Sequence, residues 1–246
     1  LTLPLPTTTE SWTAPTATDN CPGVSVAQTG GPPSGSTFPV GTQTITYTAT
    51  DACGNTANVS FTVTVQDTQI PLISGCPGNI SKNTDPGLCT AVATWTPPTA
   101  SDNCPGVTIA QTAGLPPGSA FPKGVTTVTY TATDASGNFT TCTFTVTVTD
   151  AELPVILGCT SNITTNTDPN KCTAVVTWTP PTATDNCPGV VITRTAGPAP
   201  GSTFNKGATT VTYTATDTSG NTAVCTFTVT VVDAQPPQIL NCPNPP

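Results

Sequence analysis

Apolar residues alternate with threonine in short stretches along the chain. Thr90–Thr96 reads TAVATWT, and Val107–Thr112, Val125–Thr133 and Thr140–Thr149 keep the same two-residue period. That alternation sends successive side chains to opposite faces, so each stretch predicts a half-buried strand. Val128, Tyr130 and Ala132 fall on one predicted face, as do Cys142, Phe144, Val146 and Val148, while Thr127, Thr129, Thr131, Thr143, Thr145 and Thr147 fall on the other. The DASGN segment at 134–138 predicts a hairpin turn between the two longest strands, Asp85–Gly87 a second turn, and the PPTASDNCPG segment at 97–106 a loop. No segment carries helical spacing.

The whole pattern repeats every 83 residues without a gap. Trp12, Trp95 and Trp178 keep that spacing, as do Phe38, Phe121 and Phe204; Tyr47, Tyr130 and Tyr213; Cys21, Cys104 and Cys187; and Cys76, Cys159 and Cys242. Of the 62 residues from Cys89 to Asp150, 47 match the segment Cys172 to Asp233. A period this long is a whole domain rather than a solenoid rung. The fold expected is all-β: three tandem immunoglobulin-like β-sandwich domains in an extended array, with about seven short strands each. The boundaries read as 1–67 for a first domain lacking its own first strand, 68–150 and 151–233 for two complete domains, and 234–246 for an orphan first strand.

Composition narrows the chemistry. Threonine supplies 58 of 246 residues, with 28 Pro, 20 Gly, no His and no Met. Without His there is no Ser-His-Asp triad, Cys-His dyad or His-ligated metal. Five basic residues against 13 acids, a net charge of −8, leave no footprint for nucleic acid. No apolar run approaches the roughly 18–20 residues that span a membrane. The start at Leu1 reads as a processed chain or a piece of a longer one, with any signal peptide gone. Eleven Cys spread regularly without His read as a disulfide framework from an oxidising compartment.

The string PxIxxCPxNI, DPGxC, TWTPPTAxDNCPG, GxxTVTYTATDxSGNxxxCTFTVTV resembles the HYR (hyalin repeat) family. It runs from Pro71 to Asp150, again from Pro154 to Asp233, and in part from Ser11 to Asp67. The resemblance implies an immunoglobulin-like fold, an extracellular location and roles in adhesion or matrix, with no catalytic residues. Such repeats also look like the stalk repeats of very large bacterial surface adhesins.

Repeats two and three each hold four Cys, which allow three pairings. Repeat one has Pro6 where Cys89 would be and Val59 where Cys142 would be, keeps Cys21 and gains Cys53. A Cys21–Cys53 bond then suggests Cys104–Cys142 and Cys187–Cys225, leaving Cys76–Cys89 and Cys159–Cys172. Cys76 and Cys89 flank a hairpin whose register would separate them, so the pairing stays open.

The acids sit at recurring places. Asp67, Asp150 and Asp233 end the last strand of each repeat; Asp19, Asp102 and Asp185 lie in the DNCPG loops; Asp51, Asp134 and Asp217 open the last turn. Head-to-tail sandwiches would gather Asp67, Asp102 and Asp134 at one junction and Asp150, Glu152, Asp185 and Asp217 at the next. Asp233, Asp19 and Asp51 would meet between subunits. Converging carboxylates without Lys or Arg repel unless a cation intervenes, and hard oxygens favour Ca²⁺. The competing reading is that each Asp caps its own turn. No catalytic cofactor is expected.

The threonine faces offer two readings, an uncharged β-favourable surface or a flat face that binds glycans or ice. Asn58, Asn79, Asn138 and Asn162 sit in glycosylation sequons. The segment 234–246 matches the start of repeats two and three, which reads either as the start of a further repeat in a longer protein or as strand donation to repeat one of a second copy. Ile239 and Leu240 would fill the vacant core edge and Cys242 would lock the join. The expected function is therefore a non-catalytic extracellular fibre subunit or adhesin stalk, partnered by copies of itself or further repeats. The alternatives are a glycan- or ice-binding module and an accessory region of a secreted enzyme; a cell-surface or glycan partner is compatible with each.

Overall fold

The computed structural model describes residues 7–239, and every described element is a strand. Repeat three shows the plan in full. Ile163–Asn166, Thr222–Val232, Gly207–Thr216 and Val191–Ala196 lie side by side in that order as one sheet. Thr173–Val176 pairs with Ser202–Asn205, and Val155–Leu157 with Thr182–Thr184, both antiparallel. The two long strands form the predicted hairpin, with Gly207 opposite Val231 and Thr216 opposite Thr222. The short strand Ile163–Asn166 runs parallel to the outer edge of Thr222–Val232, Ile163 opposite Val229. That parallel pairing closes the sandwich on its N-terminal strand.

Repeat two follows the same order, Thr108–Ala113, Gly124–Thr133, Phe139–Thr149 and Ile80–Asn83. Its apolar alternation falls where the sequence put it: Val128, Tyr130, Ala132, Cys142, Phe144, Val146 and Val148 are all buried. Repeat one differs. Its sheet holds Ser25–Gly30, Gly41–Thr50 and Thr56–Val65 among the described residues, and no described strand lies along the outer edge of Thr56–Val65. The consequence appears in the side chains: Val59 is 55 % exposed and Phe61 38 %, where their counterparts Cys142 and Phe144 are 4 % and 2 % exposed.

The chain forms two compact units. One runs to residue 78 and includes Trp95–Pro117 and Thr127–Thr145; the other comprises Asn79–Thr94, Gly118–Thr126 and the chain from Val146 on. Each unit thus gathers one outer repeat with part of repeat two.

The aromatic residues kept at 83-residue spacing form one recurring core motif. Trp178 donates from Nε1 to Tyr213 Oη at 3.1 Å and packs edge-on against Phe227, ring centroids 5.2 Å apart. Trp95 and Trp12 make the same bond to Tyr130 and Tyr47 at 3.0 and 2.8 Å. A burying tryptophan wants a partner for its N–H, and the paired tyrosine supplies it. One glycine per repeat is required by close approach: Gly197 follows a bulge at φ +80°, and a Cβ there would meet Thr210 O at 2.6 Å. The exposed threonine face is knit by its own hydroxyls, Thr29 to Thr48 at 2.8 Å, Thr112 to Thr131 at 2.9 Å and Thr195 to Thr214 at 3.0 Å.

Candidate functional site

The linker after repeat one, the DNCPG loop of repeat two and its last turn come together in the first unit. Asp67 accepts from Gln69 N through Oδ1 at 3.1 Å, and its Oδ2 is buried without a hydrogen-bond partner. Asp102 Oδ2 accepts from Cys104 N at 2.9 Å, leaving Oδ1 buried and unpartnered, and Asn103 Oδ1 is likewise unpartnered. One carboxylate oxygen each from Asp67 and Asp102 lies within 4.8 Å of the other and of Cys104 Sγ. A buried and a half-buried carboxylate with no base among their bonds make a strongly electronegative pocket. Burial first, then the Asp67 carboxylate beside it, pushes the Cys104 thiol up to about 11. At pH 8 only roughly one Cys104 in a thousand is then thiolate, the reactive form. In a time course of alkylation read by mass spectrometry, Cys104 is expected to lag far behind the exposed Cys21, Cys53 and Cys172; equal rates would contradict this pocket.

The second unit repeats the arrangement with two changes. Asp150, Asp185 and Cys187 cluster as Asp67, Asp102 and Cys104 do, and Asp185 Oδ1 and Asn186 Oδ1 are again buried and unpartnered. Here, however, Ser219 Oγ donates to Asp150 Oδ2 at 3.2 Å, with Lys123 Nζ 3.9 Å away. Cys187, moreover, is bonded to Cys89, Cα–Cα 4.7 Å. The counterpart of Cys89 in repeat one is Pro6, which is why Cys104 stays a thiol. A groove of about 300 Å³ lined by Thr7, Pro39, Val40, Cys104, Pro105 and Ser136 lies there instead.

Other acids serve their own turns. Asp134 accepts from Ser136 N, Asn138 N and Asn138 Nδ2 at 2.8–2.9 Å, and Asp217 and Asp51 bind their turns likewise. Burial opposes the charge of Asp134 and Asp217, but the bonds from Asn138 and Asn221 and the turn amides outweigh it and hold both carboxyls below the ordinary range. Asp134 and Asp217 therefore do not join the junction oxygens directly; Asn138 and Asn221 link each turn to the linker through Asp67 O and Asp150 O at 3.0 and 3.1 Å. Glu152 is turned instead to Gly87 N at 2.8 Å. Asp19 caps Cys21 N at 3.0 Å, and Asp233 accepts from Gln235 N at 3.2 Å.

The disulfides correct the expected pairing. Cys76 bonds Cys142 and Cys159 bonds Cys225, each over 66 residues, and Cys89 bonds Cys187 across two repeats. Cys104–Cys142, Cys187–Cys225, Cys76–Cys89, Cys159–Cys172 and Cys21–Cys53 are not formed. The physical reason is the parallel strand, Ile80–Asn83 or Ile163–Asn166, whose lead-in segment brings Cys76 and Cys159 to the edge beside the buried Cys142 and Cys225. Cys21, Cys53, Cys104 and Cys172 are free thiols. Among the sequons, Asn58, Asn79 and Asn162 are exposed, whereas Asn138 is half-buried and its amide nitrogen donates to Asp67 O and Asp134 Oδ2. Ile239 is 88 % exposed, and Leu240 and Cys242 lie outside the described residues. Sequence reasoning missed Cys104, Cys187, Asn103 and Asn186 at the junctions; the shared DNC triplet beside each expected Asp was the available signal.

The tandem sandwiches, with polar junctions and a disulfide across the second of them, define an all-β repeat module. The HYR domain family model matches residues 2–65, 66–148 and 149–231, and the chain belongs to that family. Hyalin of Lytechinus variegatus is 38 % identical over 246 residues, covering 98 % of this chain and 46 % of that protein. Hyalin of Strongylocentrotus purpuratus is 39 % identical over 241 residues, 95 % of this chain and 20 % of that protein. The chain thus spans less than half the length of these relatives. Among solved structures, mouse Cadherin-23 EC22-24 aligns over 82 % of this chain and 80 % of its own at 16 % identity, with a TM-score of 0.35.

Proposed function

We propose that the chain is a non-catalytic, extracellular structural segment of an adhesion or matrix protein, whose repeats are held in register by their junctions. The Cys89–Cys187 bond carries this reading, because a covalent tie between successive repeats serves mechanical continuity and no chemistry. Three disulfides fit an oxidising, extracellular compartment, and the similarity to the two hyalins supports a matrix or adhesion role.

The same junctions take a hard divalent cation, Ca²⁺, through Asp67, Asp102 and Asn103 in one unit and through Asp185 and Asn186 in the other, where Asp150 already accepts from Ser219 and Glu152 and faces Lys123. Buried oxygens without hydrogen-bond donors are a donor set that fits this ion. Calcium at a hundredfold excess over its dissociation constant should stabilise the fold by roughly 2.7 kcal/mol, read as a rise in Tm over the chelated protein. Replacing Asp102 and Asp185 by Asn should remove the rise. A melting curve identical with calcium and with chelator would reject the cation and leave the disulfide-tied structural role standing.

A further inference from the structure

We infer that the first junction is a zinc site, in which the Cys104 thiolate joins carboxylate oxygens of Asp67 and Asp102 and the amide oxygen of Asn103. This rests on the reading of that junction as a cation site and names the metal that its sulfur selects.

The two junctions are copies 83 residues apart, and their differences carry the inference. At the second, the linker carboxylate and the sulfur are both committed. Asp150 Oδ2 accepts from Ser219 Oγ at 3.2 Å with Lys123 Nζ at 3.9 Å, and Cys187 is bonded to Cys89. At the first, two replacements undo this. Val40 stands at the position of Lys123, which removes the ammonium, and Pro6 stands at the position of Cys89, which leaves Cys104 its thiol. Ser136 is retained at the position of Ser219, yet Asp67 Oδ2 has no hydrogen-bond donor. Asp67 is 8 % exposed, and its carboxylate lies beside the Cys104 thiol. A charge so deeply buried without a partner is costly, and a bound cation offsets that cost.

The donor atoms are already gathered. One carboxylate oxygen each of Asp67 and Asp102 and the sulfur of Cys104 lie within 4.8 Å of one another. Ligand atoms around a tetrahedral zinc with bonds of about 2.0–2.3 Å stand roughly 3.3–3.5 Å apart, so small side-chain rotations close the set. The loop is held for this. Asp102 Oδ2 accepts from Cys104 N at 2.9 Å, which fixes the two loop ligands in one turn and leaves Asp102 Oδ1 without a donor. Asn103, between them in sequence, supplies the fourth atom through its buried, unpartnered Oδ1. The groove of about 300 Å³ lined by Val40, Cys104, Pro105 and Ser136 gives the ion a way in from solvent.

Sulfur decides between metals. Calcium takes oxygen ligands and leaves a thiol unused, whereas zinc binds thiolate and carboxylate together. Zinc displaces the proton of the Cys104 thiol, which passes to water; no electron moves and no oxidant is required. Without zinc the same oxygens stay open to calcium. The second junction cannot follow, because Cys187 Sγ is held in its disulfide. Zinc therefore goes to one junction per chain.

The test uses the full chain carrying C21S, C53S, C172S and C242S, so that Cys104 is the one cysteine outside the three disulfides. Cobalt(II) chloride is titrated as the coloured stand-in for zinc. A near-ultraviolet sulfur-to-cobalt charge-transfer band is expected, saturating at one cobalt per chain and bleached by an equivalent of zinc but not by excess calcium. C104S should lose the band, and D67N and D102N should each weaken zinc binding roughly tenfold or more. Native mass spectrometry should show one zinc per chain. No cobalt band, a band that survives C104S, or a zinc affinity unmoved by D67N and D102N would each overturn the inference. The two readings fail separately. A Tm raised by calcium with no cobalt band rejects zinc and keeps calcium, whereas the band without a calcium-raised Tm rejects calcium and keeps zinc.

Discussion

Replacing Cys159 and Cys225 together by serine is expected to cost repeat three roughly 2–4 kcal/mol. The bond closes a 66-residue interval, so it removes much freedom from the unfolded chain. It also has a local task, which repeat one displays by contrast. Cys159 lies just ahead of Ile163–Asn166, the parallel strand along the outer edge of Thr222–Val232, and its bond to Cys225 pins that strand. Where neither the bond nor the strand is described, at Thr56–Val65, Val59 and Phe61 face solvent. Urea titration should show a lower midpoint for the double variant, with C172S, an exposed thiol, unchanged within about 0.5 kcal/mol. An unchanged midpoint in the double variant would reject the stabilising role of the bond.

The strand faces, the two turns and the aromatic core were legible because each is local. Alternation at Val128, Tyr130 and Ala132, and Asp-Ser-Gly-Asn chemistry at the last turn, depend on neighbours in sequence. The sulfur pairing was not, because it depends on a parallel strand contact between distant segments that alternation does not report. Repeat one was also misleading. Its Cys21 and Cys53 suggest a bond that would make Cys142 the partner of Cys104, yet Cys142 bonds Cys76, and Pro6 answers to Cys89, the partner of Cys187. A bond between repeats cannot be found by pairing cysteines within one. The junction acids were legible in part. Linker and DNCPG position marked Asp67, Asp102, Asp150 and Asp185, while at Asp134 and Asp217 the competing turn-capping reading is the one that the hydrogen bonds follow.

The largest single-site effect is expected at Phe204. Its ring is buried among Ala174, Val176, Val211 and Phe227, with the Trp178 ring centroid 6.0 Å away. Phe204→Ala removes most of a buried aromatic and leaves a cavity that flanking strands, each bound to a neighbour, cannot collapse to fill. The cost should be roughly 3–5 kcal/mol, a large share of the stability of an ordinary domain. Trp178 would also lose the surface that holds it toward Tyr213, so its fluorescence should report the change before unfolding. Val224→Ala, on the exposed face of the four-stranded sheet of the same repeat at 61 % exposure, is the control and should stay within about 0.5 kcal/mol. Phe204→Leu, which keeps much of the volume, should cost well under the alanine value. A Phe204→Ala midpoint shift no larger than that of Val224→Ala would mean that the recurring phenylalanine is not the centre of the repeat's core.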